Sequence, residues 1–182
     1  SENSTHPDKE KLFRLSLNHI EKKYNNLPAA AQAWYLLANA YNEDADKYKP
    51  HGDSTHRLDK LKAKEICERV MRQKDSSEGK INCINLLSRI TKKELQFKIE
   101  KVNVPAMAFR SLVEYRNLNE MHLRIIRADE KLKKELENQD NDKYWVALLK
   151  AVPLKAWQQI LPATTDMQEH KTEIRIDPLM PG

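Results

Sequence analysis

Leu95-Gln96-Phe97-Lys98-Ile99-Glu100 is the stretch on which the reading of this chain turns. Apolar and polar side chains alternate with a period of two, which places Leu95, Phe97 and Ile99 on one face of an extended strand. The pattern continues downstream. Phe109, Ser111, Val113 and Tyr115 alternate with Arg110, Leu112, Glu114 and Arg116, and Met121, Leu123 and Ile125 alternate with His122, Arg124 and Ile126. The short link Asn117–Glu120 predicts that these last two strands form an antiparallel hairpin. Residues 155–161 and the run Thr172, Ile174, Ile176 complete about five expected strands, with the core residues Leu95, Phe97, Ile99, Phe109, Val113, Tyr115, Met121, Leu123, Ile125, Ile174 and Ile176.

Upstream of Glu94 the period is that of a helix. After Pro7, Leu12, Phe13, Leu17, Ile20 and Tyr24 recur three or four residues apart, and Asn25-Asn26 marks an end. Pro28 suits the first turn of a second helix, whose seam is Ala30, Trp34, Leu37, Ala38 and Tyr41. Polar residues from Glu43 to His56, punctuated by Pro50 and Gly52, read as a loop. A third helix is expected from about Thr55 or His56 to Arg72 on Leu58, Leu61, Ile66 and Val70. The cap signature Asp75-Ser76-Ser77-Glu78 opens a fourth on Ile81, Ile84, Leu87 and Ile90. Four amphipathic helices bury one another's stripes, here as two helical hairpins. Inside the β half, 128–137 and a segment holding Tyr144, Trp145, Leu148 and Leu149 are expected to be helical, the second plugging an apolar face.

The fold class that follows is α+β. N-terminal helical hairpins over 1–91 precede an antiparallel immunoglobulin-like β-sandwich over 92–182, with a helical insertion and too few strands to be complete. An immunoglobulin-type sandwich uses about seven.

Composition narrows function. Charged residues make up 32% of the chain, and glycine occurs only at positions 52, 79 and 182, too few for glycine-built phosphate loops. The net charge of +5 is spread among acids without a basic run, so nucleic acid is not an expected partner. No stretch is long and apolar enough to span a bilayer. Catalytic, cofactor and metal sites are all expected to be none. Asp140, Asp142, Asp166 and Glu169 have nothing to fix their separation, the serines lack a nucleophile elbow, and His6, His51 and His56 lie in ragged or loop regions. Asp166, Glu169 and His170 offer a metal fragment or, more simply, a solvated turn before the last strand. Glu43, Asp44 and Asp46 lack the alternating ligands of a calcium loop. Cys67 and Cys83 read as two small buried side chains, or as one disulfide in an oxidising compartment.

Trp34-x-x-Leu37-Ala38-x-x-Tyr41 resembles the front helix of a tetratricopeptide repeat, with alanine where that pattern has glycine. Trp34, Leu37 and Tyr41 are therefore the candidate partner-binding or helix-packing residues. A second resemblance covers the β half. Leu95–Glu100, Asn103-Val104-Pro105, Leu112-Val113-Glu114-Tyr115-Arg116-Asn117, Met121–Ile125, Leu161-Pro162, Asp166-Met167-Gln168-Glu169-His170 and Thr172–Ile176 with Pro178–Gly182 follow one another in an order that resembles the amino-terminal macroglobulin domain of bacterial alpha-2-macroglobulin family proteins, those of Bacteroidetes above all. Met167 stands where that family has an aromatic residue.

This resemblance implies a scaffold segment of a broad-spectrum endopeptidase inhibitor of the periplasm or cell envelope. Its bait and thioester regions would lie outside this chain, since Cys67 and Cys83 are followed by Arg69-Val70 and Asn85-Leu86 and lack the Cys-x-x-Gln of a thioester. The implied partners are downstream domains of the same parent chain, with proteases engaged only by the full-length parent and the membrane only through an anchor that precedes this segment. The alternative is a peptide- or protein-binding module of a cell-surface assembly, with the helical hairpins as its recognition surface.

Overall fold

The computed structural model describes residues 7–24, 27, 30–74, 76–100, 103–137 and 141–179. It is mixed α+β. Four helices come first, α1 (Lys9–Tyr24), α2 (Ala30–Ala45), α3 (Asp59–Met71) and α4 (Glu78–Thr91), followed by strands β1 (Glu94–Ile99), β2 (Phe109–Arg116) and β3 (Glu120–Ile126), helices α5 (Glu130–Glu137) and α6 (Asn141–Lys150), and strands β4 (Pro153–Ile160) and β5 (His170–Ile176). The helix end expected at Asn25-Asn26 and the roles of Pro28 and Asp75 fall outside the described residues.

Contacts divide the described residues into two compact units. One takes everything up to Leu95 together with Tyr115–Asn117 and Thr164–His170. The other takes Gln96–Glu114, Leu118–Ala163 and Lys171 onward.

In the first unit α2 is the hub, packed against α1, α3 and α4. Its alanines explain why: Ala30, Ala31, Ala33 and Ala38 are buried and let neighbouring backbones come close, while Trp34 and Leu37 fill the space between. A close approach occurs at Gly79, in the first turn of α4, where a Cβ would lie 2.3 Å from the carbonyl carbon of Ala31 and from the nitrogen of Gln32. That contact sets which face of α4 points inward. Gly79, Cys83, Leu86 and Ile90 are buried, while Ile81 and Ile84, expected in the stripe, are exposed. α4 starts on Ser77, whose side chain accepts a hydrogen bond from the Lys80 N–H at 3.3 Å.

Two further expectations are corrected in this unit. α1 buries Leu17 and half-buries Phe13, but Leu12, Ile20 and Tyr24 are exposed, because α2 is the neighbour it packs on. α3 begins at Asp59, later than expected, because Asp53 accepts hydrogen bonds from both the backbone and the hydroxyl of Thr55 and holds that segment in a turn. Leu58 is consequently left exposed, and Ala63, Ile66, Cys67 and Val70 carry the buried face.

The strands lie in two sheets, one of three in the order β1-β2-β5 and one of two, β3-β4. Cross-strand contacts step in opposite directions along β1 and β2, with Glu94 against Arg116 and Lys98 against Ser111 and Glu114, so this pair is antiparallel. β3 and β4 are antiparallel with Leu123 opposite Trp157, and the register shifts between Ile125 and Ile126.

The expected β2–β3 hairpin does not form. Asn117 adopts a left-handed φ of 56°, and its amide donates to the carbonyls of Ile90 and Lys92, at 2.8 and 3.0 Å. A chain held in this way turns a corner into another sheet instead of folding back on its predecessor. Val113, Tyr115, Met121, Ile174 and Ile176 are buried as core residues should be, and Phe109, Leu123 and Ile125 are half-buried.

Leu95, Phe97 and Ile99 are a correction. They are 46%, 37% and 48% exposed, because β1 is an edge strand whose apolar face has no covering layer among the described residues. The α6 plug is another: Ala147 is buried, but Tyr144, Trp145 and Leu149 are exposed.

Candidate functional site

Trp34 and Leu37 are buried and Tyr41 is half-buried. The Arg69 guanidinium lies 4.7 Å from the Trp34 ring, and Arg14 and Lys62 flank Tyr41 at 4.9 and 5.3 Å. These side chains thus pack within the helical unit. A cleft of about 380 Å³ does lie between α1 and α2, but polar and charged residues dominate it, among them Lys9, Glu10, Arg14, Glu43 and Asp44, and neither Trp34 nor Tyr41 lines it.

The most developed polar cluster centres on Asp166, a residue read from sequence as part of a metal fragment or a solvated turn. It is neither. Asp166 is 0% exposed, and both carboxylate oxygens are used. Oδ1 meets His170 Nε2 at 2.7 Å and accepts from the Gln168 N–H at 3.2 Å, while Oδ2 accepts from Arg57 Nε at 2.9 Å. Gln168 is buried too, and its amide donates to the carbonyls of Ala45 and Arg57, each at 3.3 Å. Between them Met167 takes a φ of 60°, an uncommon conformation for this residue type, and packs against the helical core. Tyr115 stacks at a tilt, its ring 6.0 Å from that of His170.

Burial works to raise the Asp166 carboxyl, but hydrogen bonds from His170, Arg57 and the Gln168 backbone outweigh it and hold the group below the ordinary carboxylate range. Burial, with the Asp166 charge adding to it, pushes the Tyr115 phenol up. The aspartate is an ionised anchor: it positions His170 and Arg57 and fixes residues 166–170 in the first unit. Sequence spacing could not expose it, because Arg57 is 109 residues from Asp166.

A second cluster joins Asp44, His56 and Asp59, whose candidate ligand atoms all lie within 4.8 Å of one another. Asp59 is buried, with His56 Nδ1 and Lys62 Nζ each 2.7 Å from its carboxylate, and Asp44 is held by Arg14 and by Lys47 at 2.8 Å. Burial tends to raise the Asp59 carboxyl, and Lys62 and His56 bring it below the usual range. Each carboxylate already carries its own cations, Asp44 at the end of α2 and Asp59 at the start of α3, and a separate ion pair, Lys60 to Asp46 at 3.4 Å, links α3 to the residue after α2.

In the second unit, Glu114 is buried between Lys171 at 2.6 Å and Lys98 at 2.8 Å, and these two lysines hold its carboxyl below the usual range. The contacts run from the central strand β2 to β5 and β1. All three clusters thus carry ion pairs with anchoring geometry. No helix among the described residues is long and apolar enough to cross a membrane. No family model matches the chain, and neither a curated protein nor a solved structure matches it.

Proposed function

We propose that this chain is a non-catalytic scaffold segment of an alpha-2-macroglobulin-like endopeptidase inhibitor, with β1 to β5 supplying part of its first immunoglobulin-like sandwich. The observation that carries the reading is the sheet order. The first, second and fifth strands share one sheet and the third lies in another, which is the division of strands A, B and E from strand C in an immunoglobulin-type sandwich. β4 pairs with β3, a departure from the constant-type order, in which the fourth strand joins the A-B-E sheet. Supporting it further, the motif Asp166-Met167-Gln168-Glu169-His170, one of those that carry the family resemblance, contributes the buried anchor Asp166 with Gln168 buried beside it. The reading requires further strands in the parent protein to cover the apolar face of β1, and it assigns bait, thioester and protease contact to that parent, in the periplasm or at the cell envelope.

The alternative, a peptide-binding helical module, needs an apolar groove at Trp34 and Tyr41. The packing of those rings by Arg69, Arg14 and Lys62 leaves it without support.

The test compares this chain with the whole product of its gene. The whole product should protect a large protein substrate from several unrelated endopeptidases while leaving hydrolysis of a small chromogenic peptide unaffected, and this chain alone should do neither. A whole product that ends shortly after Gly182, or that leaves proteolysis of the large substrate unchanged, overturns the proposal.

A further inference from the structure

Cys67 on α3 and Cys83 on α4 are free thiols, both fully buried in the helical core. Their helices pack directly on one another, and the two side chains are in hydrogen-bond contact. Residues around them in that core include Ala63, Ile66, Val70, Leu86 and Ile90. The only metal-compatible grouping among the described residues is the Asp44 cluster, which contains neither cysteine. Two thiols that meet in the core shared by two packed helices are placed to react with each other.

We infer that Cys67 and Cys83 form an intramolecular disulfide when the chain folds in the presence of a disulfide oxidant, tying α3 to α4 through the core. The reaction is thiol–disulfide exchange with a small disulfide such as oxidised glutathione. One cysteine thiolate attacks the oxidant, breaking its S–S bond and releasing one reduced thiol. The second cysteine then attacks the mixed disulfide, forming the Cys67–Cys83 bond and releasing the other. Two electrons pass to the oxidant, and the two cysteine protons end on the two released thiols.

Burial determines when this happens. The attacking species is the thiolate, and in the folded chain both cysteines are 0% exposed, so an oxidant in solution has no path to either sulfur. The bond is therefore made while α3 and α4 are still open to solvent, as a folding-time modification. It closes a loop with 15 residues between the cysteines and so removes open conformations from the unfolded chain, which stabilises the folded one.

The experiment refolds the reduced, denatured chain in a mixture of reduced and oxidised glutathione, alkylates the remaining thiols, and reads intact mass and cysteine peptides. The expected product is a monomer lighter by two hydrogen atoms than the reduced chain, resistant to alkylation, with the Cys67 and Cys83 peptides joined. Its melting temperature should be higher by about 5–10 °C and fall back on treatment with dithiothreitol. The same oxidant added to the folded, reduced chain should form the bridge far more slowly than refolding does. Cys83→Ala, refolded identically, should end as a free thiol or a glutathione adduct at Cys67. Alkylation of both thiols after oxidative refolding, glutathione adducts in place of the bridge, a bridged form that melts below the reduced one, or equally fast bridging of the folded chain would each overturn the inference.

Discussion

Replacing Gly79 with alanine tests how the helical unit is built. An alanine methyl there would sit 2.3 Å from Ala31 C and Gln32 N and 2.6 Å from Ala31 O. Ordinary contact begins near 3.4 Å, so α4 and α2 must separate locally by about 1 Å. The obstructing atoms are backbone, which has no rotamer to give, and this places the cost at the upper end of the overpacking range, about 3 kcal/mol. Alanine's better helix propensity returns about 1 kcal/mol, leaving a net loss of about 2 kcal/mol. With a urea slope of about 2 kcal/mol per molar, the midpoint should fall by about 1 M. Far-ultraviolet circular dichroism would follow unfolding, and hydrogen exchange by mass spectrometry should place the loss in α2 and α4. Gly52→Ala is the internal control. Its added methyl meets nothing nearer than Lys49 Cβ at 3.4 Å, and Gly52 does not occupy the left-handed region, so this variant should gain about 0.4–1 kcal/mol by restricting the unfolded chain. A Gly79→Ala protein as stable as the parent, or equal shifts for the two variants, would refute the backbone contact that orients α4.

Other outcomes follow from the same structure. Ser77→Ala should cost about 0.5–1 kcal/mol in urea unfolding, the lower part of the N-cap range, because its hydrogen bond to Lys80 is long. Asp166→Asn should cost about 2–3 kcal/mol, from hydrogen bonds to a buried charge discounted for the half-exposed Arg57. Because the Asp166 carboxyl is held below its ordinary range, its contribution is present above the unfolded value near 4 and lost as pH falls through the lower folded value, so the variant's stability should vary less than the parent's below about pH 4. Thermal melts across that window check it; unchanged acid sensitivity would remove Asp166 from the account. Phe97→Thr should change stability by no more than about 0.5 kcal/mol, while Val113→Ala should lose about 2 kcal/mol, and urea midpoints separate the two.

The existence and type of the elements were legible from periodicity, since a stripe at helical spacing or an alternation at period two needs only nearby residues to be seen. Which face points inward was less so. α4 offered Ile81 and Ile84 as an apolar stripe, but glycine carries no hydrophobic signal, and it is Gly79 that brings Cys83 and Leu86 to the core. β1 shows the opposite limit: alternation identifies a strand, and whether its apolar face is covered depends on a layer that the strand itself cannot announce. The short Asn117–Glu120 link looked like a hairpin because length was weighed without Asn117's carbonyl partners on the far side of the corner.

The polar clusters were the least legible for a physical reason. A buried carboxylate is tolerable only when donors converge on it, and those donors come from wherever the fold brings them. Asp166 draws one from Arg57 and others from its own turn, and Glu114 draws lysines from two other strands. Removing one donor leaves the charge buried and undercompensated, so each cluster tolerates only one arrangement of its surroundings. Met167, strained at φ 60° between Asp166 and Gln168, shows the arrangement being enforced: its backbone conformation is retained because four polar contacts on either side of it would be lost on relaxing. These residues would therefore be the poorest places to redesign for activity and the best places to break the fold on purpose. The scaffold role proposed above would draw on such anchors, because they hold a segment's own geometry while neighbouring parts of a larger protein rearrange.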